Sequence, residues 1–105
     1  MPFVKISGIS KEKVIEISED LKNIIVKETE TPKERIRVFY DSTVEIFDQK
    51  EVTERIMIDI QWLPRPKEMR EKVSQAYFSY FEDRGYKNIR IYFEDINKEY
   101  YFVKN

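Results

Sequence analysis

The chain has 105 residues, enough for one domain around one core. It carries 19 basic and 20 acidic residues, a net charge of −1, and neither Cys nor His. Disulfides, thiol chemistry and imidazole chemistry are thereby excluded, and with them zinc sites and Ser or Cys triads.

Seven Tyr, seven Phe and one Trp make the chain too aromatic for a disordered tail. A near-neutral balance lacks the positive excess that nucleic-acid binders use on phosphates, so no nucleic acid is expected as partner. No apolar run reaches membrane-spanning length and no signal-peptide core is present, so the expected location is the cytosol, away from membranes.

Phe3 to Ser7 alternates as a short strand, and Gly8 turns the chain. Ser10 suits a helix N-cap, with Ile9 and Val14 at the spacing of a hydrophobic staple. Val14, Ile17, Leu21 and Ile24 then predict an amphipathic helix from about Lys11 to Glu28. Thr31-Pro32 ends it. Arg35 to Tyr40 alternates as a strand, with Ile36, Val38 and Tyr40 on one face and Arg35, Arg37 and Phe39 on the other. Asp41 to Glu54 bridges to the next segment, with a short strand at Val44 to Phe47.

A second pass follows the same plan. Ile56 to Trp62 is a strand with Ile56, Ile58, Ile60 and Trp62 on its apolar face. Pro66 suits the first helical position. Met69, Val73, Ala76, Tyr77, Tyr80 and Phe81 form a helical stripe, which Gly85 closes at C′. Asn88 to Phe93 is a strand. After a turn at Asn97-Lys98 the tail, Glu99 to Lys104, alternates as an extra strand.

Arg35 to Tyr40 matches Asn88 to Phe93 at an offset of 53 residues, and the same offset carries Phe3 to Ile56. The chain therefore reads as an α+β fold in one domain, residues 1–105. Its two β-α-β repeats run over about 2–40 and 55–95. Right-handed crossovers give a four-stranded mixed sheet with both helices on one face. Arg37, Phe39, Arg90 and Tyr92 occupy the other face, which must meet water or another subunit.

A Met-Pro start, Thr31 to Val38 closing the first unit, and Asn88 to Asp95 closing the second resemble the tautomerase superfamily. That group includes 4-oxalocrotonate tautomerase and macrophage migration inhibitory factor. Trp62-Leu63-Pro64-Arg65 before the second helix is similar to a bacterial branch without an assigned function. The resemblance implies a homotrimer with sheets facing inward, in which the tail strand pairs with a neighbour's sheet edge. It implies that removal of Met1 exposes Pro2 as a general base or acid for keto–enol proton transfer on a 2-oxo acid. A free α-amino group titrates near about 8, and burial or nearby cations lower that value. No cofactor is implied. Arg37 falls where the family carries a substrate-binding arginine, and Arg90 is its equivalent in the second repeat. Tyr92 shares a face with Arg90. Lys11 lies near another family cation position, and Arg65 sits in a stiff loop between two prolines. Against these roles stand plainer ones: interfacial arginines and aromatics, a solvated Lys11, and an Arg65 paired with Glu68. The alternative is a trimeric small-molecule-binding or structural protein that keeps the fold without catalysis. The β-α-β-β-α-β order is also that of the RNA-recognition module. Ile56 to Ile60 lacks that module's basic-Gly-aromatic run, which argues against it.

Overall fold

The computed structural model describes residues 2–105. Strand β1 is Phe3–Ser7 and helix α1 is Lys11–Thr29. Strand β2 is Arg37–Tyr40, and β3 (Ile46–Phe47) with β4 (Lys50–Glu51) forms a small hairpin. Strand β5 is Arg55–Trp62, α2 is Lys67–Glu82, and β6 is Asn88–Asp95. The main sheet has the order β2-β1-β5-β6. Its two central strands run antiparallel, and each pairs in parallel with the strand that follows its own helix. The fold is thus α+β with two β-α-β halves joined at the middle of one mixed sheet.

Alternation in the central strands places Val4, Ile6, Ile56, Ile58, Ile60 and Trp62 under the helices, all fully buried. Val14, Ile17, Leu21 and Ile25 from α1 and Val73, Tyr77 and Phe81 from α2 cover them. The helical stripe closes on Ile25, a step of four from Leu21, and the expected Ile24 is only half-buried. Ile36 is buried, and Val38, Ile89 and Ile91 pack against the core from the two edge strands.

Helix caps follow the side chains expected. Ser10 Oγ accepts from the Lys13 amide at 3.1 Å. Gly85 adopts φ 91°, with Tyr86 N donating to Phe81 O and Gly85 N to Glu82 O, a Schellman closure. Tyr86 and Phe81 rings meet edge-on at 5.8 Å across it. Pro66 sits one position earlier than expected, at the N-cap of α2.

Two expectations are corrected. The tail strand over Glu99 to Lys104 does not form: Lys98–Tyr100 is a 3-10 turn, and residues 101–105 carry no regular structure. The strand is expected on a neighbouring copy's sheet edge, and within the one chain the tail joins neither edge of the main sheet. The expected strand at Val44 to Phe47 shrinks to Ile46–Phe47, where Asp48 and Gln49 turn the chain with φ 54° and 62°.

Candidate functional site

Register across the sheet places each candidate residue. Arg37, Phe3 and Gln61 stand in one row, and Gln61 pairs in turn with Glu94. Phe39, Lys5, Asp59 and Tyr92 form the middle row. Ser7, Met57 and Arg90 belong to a third. Paired residues share a face, so Arg37, Tyr92 and Arg90 are all on the side away from the helices. Four strand positions separate the rows of Arg37 and Arg90, or ~13 Å. The two arginines that the internal repeat equates therefore lie at opposite ends of the sheet.

Pro2 immediately precedes β1 and is buried. Its carbonyl accepts from Arg37 N at 3.0 Å. Phe3 pairs with Gln61, so one further antiparallel step puts Pro2 beside Trp62. Met1, whose removal the sequence reading expects, lies outside the described residues.

Three elements bring cations and aromatics to this end. The start of β2 supplies Arg37, whose guanidinium donates to the carbonyls of Glu34 and Ile36. The end of β5 supplies Trp62, fully buried and stacked on Phe93 with ring centroids 4.9 Å apart. The loop after it supplies Arg65, whose Cζ lies 5.0 Å from the Trp62 ring centroid. Arg65 Nη2 donates to Thr31 Oγ1 at 3.3 Å. Thr31 and Thr29 hydroxyls share a 2.7 Å hydrogen bond, and Thr29 Oγ1 donates to Ile25 O at 2.7 Å. The expected pairing of Arg65 with Glu68 is absent among the described residues, because α2 directs Glu68 into its exposed first turn.

The other candidates lie elsewhere in the chain. Tyr92 lies midway along the edge strand β6 and is 58 % exposed. Lys11 opens α1, which leaves β1 at the end opposite Pro2, and it is exposed. Arg90 borders a cleft of about 640 Å³ at that far end, together with Ser7, Tyr40 and Arg55. Size alone favours this cleft as a ligand site. Its other cations are neutralised in place: Arg55 pairs with Glu45 and Lys13 with Glu16, both at 2.7 Å. Arg90 in the cleft and Arg65 at the Pro2 end both lack a carboxylate partner among the described residues. Sequence reasoning noted Arg65 yet missed the threonines that anchor it. Their signal was Thr29 and Thr31 flanking a helix end.

Among the described residues no cluster of carboxylates suits a metal, and no helix is long and apolar enough to cross a membrane. A family model described as "Domain of unknown function (DUF1904)" matches residues 1–105. The solved DUF1904 domain from Sebaldella termitidis superposes with a TM-score of 0.89 at 25% identity, covering 98% of this chain and 95% of that one. A macrophage migration inhibitory factor-like protein from Entamoeba histolytica gives 0.77 at 20% identity, with 98% and 95% covered. A fused 4-OT, solved as an asymmetric trimer, gives 0.77 at 12% identity, with 96% and 91% covered. No curated protein matches the chain. The fold is that of the tautomerase superfamily.

Proposed function

The chain belongs to the DUF1904 family, and from that premise we propose a tautomerase-like activity centred on Pro2. Once Met1 is removed, Pro2 carries a secondary amine. In its free-base form this nitrogen takes a proton from C3 of a 2-oxo acid, and the proton is returned to the 2-oxygen, giving the enol. The shift is reversible, and bond changes balance within the one substrate. The observation that carries the reading is the burial of Pro2 at the sheet end where the Arg37 and Arg65 elements meet. Burial and neighbouring cations disfavour an ammonium, which leaves more of the amine free at neutral pH.

Homotrimer formation belongs to the same reading. The neighbouring fold includes a protein solved as a trimer; on the open sheet face here Tyr101 of the tail meets Phe3 at 6.1 Å, while Phe39 and Tyr92 stay exposed. Arg90, Tyr92 and Lys11 act at Pro2 only if a neighbouring copy carries them there.

Two measurements test the proposal. The intact mass of the purified protein must fall short of the full sequence by one Met residue. Ketonisation of phenylenolpyruvate must then be catalysed, and Pro2→Ala must lower the rate about 10²-fold or more. Retained Met1 acylates the nitrogen and removes the base. Full activity in Pro2→Ala defeats the mechanism, and absence of turnover in a correctly processed protein favours binding without catalysis.

A further inference from the structure

We propose that the cleft at the far end of the sheet binds a small zwitterion, a molecule with one carboxylate and one ammonium group on an apolar body. The inference does not rest on the Pro2 reading and concerns the opposite end of the sheet. The cleft's volume of about 640 Å³ is that of a small-molecule site. Its two walls come from different parts of the chain and carry opposite charge. Among the described residues the body of the fold contributes Lys13, Arg55 and Arg90 to it and no acid. The segment joining β2 to β5 contributes Glu45, Glu51 and Glu54 and no base.

Part of this charge is already matched. Arg55 Nη1 meets Glu45 Oε2 at 2.7 Å, joining the two walls. Lys13 Nζ meets Glu16 on its own helix at 2.7 Å. Arg90, Glu51 and Glu54 are exposed and belong to no ion pair among the described residues. One cation and two carboxylates therefore remain, on opposite walls of one cleft. A guanidinium takes a carboxylate through two parallel hydrogen bonds, and an ammonium has three donors with which to bridge two carboxylates. A molecule with both groups satisfies both walls. A simple anion on Arg90 lies near the like charge of Glu51 and Glu54, and a simple cation leaves Arg90 unmatched.

Both walls are built before a ligand arrives. Register pairs Arg90 with Met57, two positions beyond Arg55. The two arginines thus stand on the side of the sheet away from the helices, with Cα atoms roughly 8 Å apart. The Glu45–Arg55 pair ties the acidic wall to β5, and Val52 N donates to Glu45 O at 2.8 Å, extending the β3–β4 hairpin. Glu54 adopts a left-handed conformation, φ 60°, where that wall enters β5. Walls fixed in this way lose less on binding than free loops do. Ile9, Val52, Met57 and Tyr86 supply apolar lining for the body of the ligand.

The test is isothermal titration calorimetry of the full chain with L-leucine and with 6-aminohexanoate, at pH ~6.5 so that either amine is protonated. Saturable binding of at least one is expected. Its single-charge analogues are then titrated: 4-methylpentanoate and L-leucinamide for leucine, hexanoate and 6-aminohexanamide for the other. Each must bind about tenfold more weakly or worse, the loss of one charge-assisted contact. This comparison needs no variant. Arg90→Gln must weaken the zwitterion about tenfold and abolish its advantage over the amide. Glu51→Gln combined with Glu54→Gln must abolish its advantage over the plain acid. Backbone amide resonances of Ser7, Val52 and Arg90 must shift on binding, while those of Thr31 and Trp62 stay in place. No saturable binding of either zwitterion overturns the proposal, as does a single-charge analogue that binds equally well. Shifts confined to the Pro2 end, or unchanged affinity in a folded Arg90→Gln, overturn it too. Pro2→Ala keeps the two readings apart: it must bind the zwitterion as wild type does and lose turnover. Turnover that survives defeats the proline base and leaves the cleft standing, whereas zwitterion binding lost in Pro2→Ala overturns the cleft.

Discussion

Tyr77 shows how one polar atom is accommodated in the core. Its ring is fully buried between the helices and the sheet, and its hydroxyl donates to Leu21 O at 2.8 Å. Burial drives the phenol far above its ordinary pKa. Tyrosine in the unfolded chain titrates near about 10, so the folded state binds the extra proton above that pH. The contribution to stability is complete below pH ~10 and declines as pH rises further. Tyr77→Phe should cost about 1 kcal/mol at pH 7 by urea denaturation, because a buried hydrogen bond is lost. It should also flatten the alkaline decline relative to wild type; an identical pH slope in both proteins contradicts the assignment. The stripe containing Tyr77 was legible from helical spacing, but its bond to Leu21 was not, since 56 residues separate the partners. Arg65 has the same character. Its prolines were visible in sequence, whereas the uncompensated charge depends on where α1 ends and where Trp62 packs.

Among the elements, turns with required side chains were readable and turns built from ordinary residues were not. Gly8 and Gly85 both hold positive φ, at 96° and 91°. Their surroundings differ. A Cβ at Gly85 meets nothing within 4 Å, but at Gly8 it falls 2.0 Å from Arg55 O, main chain that has little room to move. Gly85→Ala should therefore cost about 1 kcal/mol, the conformational penalty alone. Gly8→Ala adds overpacking against β5 and should cost roughly 3 kcal/mol. Equal destabilisation of the two variants in thermal or urea melts would contradict this difference in packing. The β3–β4 hairpin was obscure for the complementary reason. Asp48 and Gln49 adopt left-handed conformations without the Asn-Gly or Asp-Gly signature that usually announces them. The tail failed differently: its alternation is present, yet a strand exists only where an edge receives it.

For the whole molecule, the unresolved balance is between the two faces of the sheet. The helical face is sealed by α1 and α2, while the other leaves Phe39 at 44 % and Tyr92 at 58 % exposure. The tail adds Tyr100 at 79 % and Phe102 at 87 %. A chain of this length buries only about two-thirds of its unfolded surface, so covering this face by copies of itself offers stability that one layer of helices does not. Patches of this kind on a small domain mark interaction surfaces. Trimer assembly predicts a light-scattering mass three times the 12.8 kDa of one chain. Tyr92 stands in the same row as Asp59 and Lys5, midway along the edge strand β6 on the open face. Tyr92→Glu should place a desolvated charge beside Asp59 in that assembly and shift the protein to monomers, with a lower and concentration-independent melting temperature. The wild-type melting temperature should rise with concentration, because association favours the folded state only when copies can meet. A wild-type mass of one chain at micromolar concentration, with a melting temperature independent of concentration, would leave the open face solvated. It would also confine the chemistry at Pro2 to residues of a single chain.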